Sequence, residues 1–151
     1  MAKLSEKNLK RIREIEFAIN RNLFLICAVI TLTTMIIASI EFFGRGAFPS
    51  SRISFFYVGI LVIYSVHKEL LRWLEEKKIE RQGEWFVYSW IGLTLVFYIV
   101  NFLTKDYFDS SSEGLPLGSL TNITVLTLQV CIIFLLTKLS KVVKISLEKN
   151  E

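Results

Sequence analysis

One carboxylate stands apart in this sequence. Glu41 follows a run, Asn22 to Ile40, that contains no charged residue. An acid at the end of an apolar helix is costly to desolvate, so such residues commonly bind, pair or carry charge. Counting back from Glu41, Ala38, Thr34, Thr31 and Cys27 recur at steps of 3, 4, 3 and 4, and Arg45 follows at 4. On an α-helix these steps stay on one face. The hydroxyls of Thr31 and Thr34, leading to Glu41, have the chemistry of a cation path. The same small side chains equally suit close helix packing, with hydroxyls bonding across the contact. Glu41 and Arg45, one turn apart, suit an ion pair at a membrane surface.

Three amides extend the set. Thr94, Tyr98, Asn101 and Lys105 run at steps of 4, 3 and 4. Asn122 and Gln129 lie seven apart, beside a second stripe of Thr124, Thr127 and Cys131. An amide facing hydrocarbon leaves its hydrogen bonds unmade, so all three amides are expected to point into a helix bundle. Glu41, Asn101 and Asn122 then share one half of that bundle and can form a single polar cluster.

Catalytic chemistry is thinly represented. The sole histidine, His67, has no second histidine for an HExxH site, and no CxxC or other zinc-ligand spacing occurs. Ser110, Ser111 and Ser112 have no base on their own side of the chain's expected path. His67, Glu69 and Arg72 could meet a lipid headgroup, though the same trio fits a solvated helix end. Asn122-Ile123-Thr124 matches a glycosylation acceptor but opens an apolar run, too close to a membrane for modification. No metal and no cofactor is expected.

The elements that hold these residues are defined by where charge is missing. The chain has 151 residues, 52% of them hydrophobic and 21% charged, with the charges gathered into blocks. Two cysteines exclude a disulfide-stapled domain, and 13% aromatics exclude a disordered chain. Four apolar runs remain, each readable as a membrane-crossing helix: residues 22–43, 53–74, 83–104 and 119–137. About 20 residues give roughly 30 Å of helix, the thickness of a hydrocarbon core. The second run is the weakest, because only 53–66 is free of charge. It spans fully if His67 to Leu74 continue the helix, with Lys68 and Arg72 reaching back to the headgroups. The alternative is an interfacial or re-entrant segment.

Cation counts set the orientation. Fifteen of the 18 Lys and Arg residues fall in the segment through Arg21, in 68–81 and in the tail, and three fall in the loops 44–52 and 105–118. The positive-inside rule then places both termini and the middle connection in the cytoplasm, and the short loops and Lys/Ile-rich style point to a prokaryotic cell (inner) membrane. Trp73 and Trp85 are expected in the inner interfacial belt. Phe42, Phe43, Phe55, Phe56, Tyr57, Tyr107 and Phe108 are expected in the outer one. Residues 1–21 read as an amphipathic helix, capped by Ser5, that lies in the headgroup layer or extends span one directly. The charged stretch 74–82 reads as a helical stalk ending at Gly83, which makes spans two and three a helical hairpin. The tail 138–151 continues span four, and Lys138, Lys141 and Lys144, with Lys68 and Arg72, are candidate contacts for anionic headgroups. The acidic loop 105–118, with three serines and a Gly-Leu-Pro turn, is expected to be mobile. A cleaved signal peptide is disfavoured by Glu6, Glu14 and Glu16 and by the length of the first run.

These readings converge on an all-α, four-helix transmembrane bundle in one domain. The net charge of +4 flanks the spans, so its partner is the lipid bilayer and not nucleic acid. The expected function is that of a non-enzymatic subunit, touching copies of itself or a membrane protein partner through helix contacts. The rival is a small oligomeric cation pore or transporter, with Glu41 and the threonine stripe lining the path. An enzyme acting on lipid is a third class.

Overall fold

The structure is a computed structural model that describes residues 6–45, 51–73, 84–110 and 115–148. It comprises α1 (Glu6–Phe43), α2 (Ser51–Trp73), α3 (Glu84–Leu103) and α4 (Ser119–Glu148). No strand occurs among the described residues, where a lone β-bridge joins Ser110 to Pro116. Each helix holds a segment long and apolar enough to cross a membrane: Ala18–Phe43, Ile53–Leu71, Glu84–Leu103 and Ser119–Leu147. Ser5, the stalk 74–82 and Gly83 lie outside the described residues.

The amphipathic segment and span one form one unbroken helix of 38 residues. No glycine or proline interrupts Glu6 to Phe43, so nothing in the backbone stops propagation. α4 runs on in the same way for 30 residues and carries most of the basic tail with it.

Helix order departs from expectation. α4 packs along both α3 and α2, α1 packs along α2, and α1 meets α3 and α4 over shorter stretches. The backbones of α2 and α3 stay apart, and the two helices meet through large side chains. Bulky rings separate them. Tyr57 and Trp90 meet at 5.7 Å between ring centroids, and Tyr64 and Phe86 at 6.2 Å, across the middle of the bundle. α4 fills the place beside both.

Two aromatic assignments are corrected by the same core. Phe42 and Tyr57, expected at an interface, are both fully buried. Phe42 stacks on Phe97 at 4.6 Å with 14° between the rings. Tyr57 belongs to a buried stripe with Leu61, Tyr64 and Leu71. Phe43, Phe55, Phe56, Tyr107, Trp73 and Trp85 do face outward.

The loop after α3 is tied to the helices at both of its described ends. Asp106 N–H bonds to Asn101 O at 2.9 Å, and Lys105 N–H to Phe102 O at 3.2 Å. This is the Schellman closure of a helix, and Lys105 takes the left-handed position (φ 54°) that glycine usually fills. At its far end Asp109 Oδ1 accepts the backbone N–H of Leu120 at 3.2 Å and so caps the first turn of α4. Residues 111–114 lie outside the described set.

Candidate functional site

The polar face of α1 is buried from Cys27 to Glu41. Its hydroxyls are occupied locally. Thr31 donates to the carbonyl of Cys27 at 2.7 Å, and Thr34 to that of Ile30 at 2.8 Å. Such back-bonding satisfies a hydroxyl inside a helix without a partner strand or helix. Thr31 Oγ1 also lies 3.4 Å from the hydroxyl of Tyr57, which accepts the indole N–H of Trp90 at 2.9 Å. Thr31, Tyr57 and Trp90 thus form one fully buried polar chain through the centre of the bundle.

The two stripes on spans three and four face each other. Thr94 and Thr127 hydroxyls are 2.7 Å apart, and those of Tyr98 and Thr124 are 3.0 Å apart. A hydroxyl has one proton to give. Thr127 gives its proton to Ile123 O and Thr124 gives its own to Leu120 O, so Thr94 and Tyr98 are the donors across the interface. Small side chains on α4 permit this close approach.

Glu41 is only 2% exposed. Its Oε1 accepts the side-chain amide of Asn122 at 3.1 Å. Arg45 does not stand one helical turn above it. The helix ends at Phe43, Arg45 has φ 53°, and its guanidinium donates to Ser110 O at 2.6 Å while lying 4.5 Å from the Tyr107 ring centre. Asn101 is buried and turns to its own helix end, donating to Asp106 Oδ1 at 2.8 Å. The three-residue cluster therefore divides: Glu41 with Asn122, and Asn101 with Asp106.

Two amides depart from the expectation that all three face inward: Asn122 is exposed although it reaches Glu41, and Gln129 departs further. It is exposed, and it makes no hydrogen bond with any described residue. Buried Leu126, Thr127 and Val130 define the inner face of α4, and Gln129 lies one residue, or about 100°, from Val130.

At the opposite end Lys138 pairs with Glu84, both partly exposed, and Trp73 donates to Ser140 at 3.2 Å. Lys68 Nζ sits 5.6 Å from the Tyr64 ring centre. Lys141 is exposed and Lys144 half-buried. The Arg72 side chain lies outside the described set. Among the described residues no group of three or more His, Cys, Asp or Glu is placed to hold a metal ion.

Sequence reasoning missed Tyr57, Trp90 and Asp109. The first two carried a signal, since Tyr57-Leu61-Tyr64 and Phe86-Trp90-Thr94-Phe97-Asn101 recur at helical steps. Asp109 carried none, because its role depends on where the loop returns. No family model, curated protein or solved structure matches this chain.

Proposed function

We propose that this chain is a non-enzymatic subunit or partner of a membrane assembly, acting through its helix surfaces, with both termini in the cytoplasm. The observation that carries this reading is Gln129. It stands about 15 Å along α4 from Ser119, near mid-membrane, and turns away from the bundle. An amide there gains hydrogen bonds when another helix brings a donor and an acceptor to it. A second copy of the chain supplies both groups by symmetry. The bundle's own polar groups support the same reading. Thr31, Thr34, Thr94 and Thr127 are engaged inside it, around a centre filled by Trp90, Phe86 and Phe97.

The test is self-association and co-purification of the full chain in lipid vesicles, read by energy transfer between labelled copies. Gln129→Leu is expected to weaken association by about 0.6–1.7 kcal/mol. A chain that stays monomeric and captures no membrane partner, with or without the substitution, overturns the proposal. Ion uptake abolished by Glu41→Gln also overturns it, in favour of a pore.

A further inference from the structure

Gln129 does not stand alone on the outer face of α4. Val125, Ile132 and Leu139 recur every seven residues, and so do Gln129, Leu136 and Val143. All six are exposed. Two interleaved lines of this period are the a and d positions of a left-handed helix pair, with Gln129 at an a position. A single polar side chain there sets the register of such a pair. Leu128, Leu135 and Val142 flank the seam, and its apolar side chains are 48–62% exposed. Two copies together offer roughly 1,000 Å² of this surface, the size that a specific interface requires.

The seam also outruns the bilayer. The apolar stretch Ser119–Leu147 has 29 residues. That is about 43 Å of helix, longer than a hydrocarbon core of about 30 Å. Lys138, Lys141 and Lys144 assign the excess to the end where Trp73 bonds to Ser140. Val142 and Val143 are thus exposed where the helix leaves the hydrocarbon, and water disfavours them there. No glycine or proline lies between Ser119 and Glu148, so α4 has no point at which to bend onto the membrane surface.

Charge favours a second copy as the cover. Lys141 lies about 160° around the helix from both Leu139 and Val143. Two α4 helices joined along the seam hold these lysines outward, more than a screening length of about 8 Å apart. Copies that cross the membrane in the same direction pair their α4 helices in parallel about a two-fold axis. Gln129 then meets Gln129, and each amide both donates and accepts.

We propose that α4 pairs with α4 of a second copy, parallel and in register at Gln129, along a seam from Val125 to Val143 that continues beyond the hydrocarbon core. The proposal rests on the subunit reading above and names its partner and the paired face.

The test uses the full chain in lipid vesicles, with Cys27→Ala and Cys131→Ala as background and one new cysteine at a time. Along a seam the facing backbones come within disulfide reach, whereas outward positions stand about 13–15 Å apart. Oxidation is expected to give covalent dimers of Leu139→Cys and of Val143→Cys, and none of Lys141→Cys. Val143→Lys sets like charges face to face in the seam and should abolish the Leu139→Cys link. Because Val143 is half-exposed within one chain, the denaturant midpoint should not move. Energy transfer between labelled copies is read on the same samples. Transfer without links at Leu139 and Val143, or with equal links at Lys141, overturns the α4 seam and leaves the subunit reading standing. A Leu139→Cys link that survives Val143→Lys also overturns the seam. Loss of both transfer and links, with no other membrane protein captured, overturns both readings.

Discussion

The two ends of the bundle are built differently. At the Glu41 end, loops and helix ends interlock: Asn122 on Glu41, Asp106 on Asn101, Asp109 on α4 and Arg45 on Ser110. Beneath them Phe42, Phe43, Phe97 and Phe108 form a continuous set of ring contacts. At the Trp73 end, α1 and α4 run on as long helices, and α2 and α4 part around an apolar groove. The contacts there, Lys138 with Glu84 and Trp73 with Ser140, are exposed. The closed end thus carries two buried polar groups, Glu41 and Asn101, each held by a defined partner, whereas the charged contacts of the open end stay exposed. Desolvated polar groups demand defined partners, whereas solvated ones do not.

The contrast predicts where substitutions are felt. Phe42→Ala removes a fully buried ring from the closed end and is expected to destabilise the fold by about 3–5 kcal/mol in denaturant titrations of the chain in mixed micelles. Leu136→Ala, on the exposed groove wall, should change the midpoint little by comparison. Equal effects would erase the distinction. Asp109→Ala should cost about 1 kcal/mol through the lost cap of α4. Hydrogen exchange should report it as faster exchange at Leu120, with little change at Trp73. The smallest effect is expected at the open end. Glu84→Gln breaks a partly solvated pair and should cost less than about 1 kcal/mol, a difference that added salt removes.

How much of this was legible in the sequence depended on the range of the interaction. Charge-free length gave the four helices, because crossing a bilayer is a property of a segment and not of its neighbours. Steps of three and four picked out the buried face of α1, since helical register is local. The same steps existed in Tyr57-Leu61-Tyr64, but the position of Tyr57 near a span end suggested an interface instead. Gln129 was misplaced by a rule that sends every amide inward, whereas its side chain is exposed. The order of helices was not legible. It follows from the rings that hold α2 and α3 apart and from the small hydroxyl stripes that draw α3 and α4 together. The Asp109 cap was illegible for a simpler reason: an acid reaching a helix start eleven residues later leaves no local pattern.

The place of α4 bears on how the chain matures. Chains emerge from the ribosome N-terminus first, so α1, α2 and α3 precede it. Until α4 arrives, Thr94 and Tyr98 lack the acceptors they will use, Glu41 lacks Asn122, and no helix lies along both α2 and α3. One helix then supplies all of these partners together. A product cut short before it lacks the α4 partners of Thr94 and Tyr98 and the Asn122 contact of Glu41. Packing of the described helices is therefore completed only by α4.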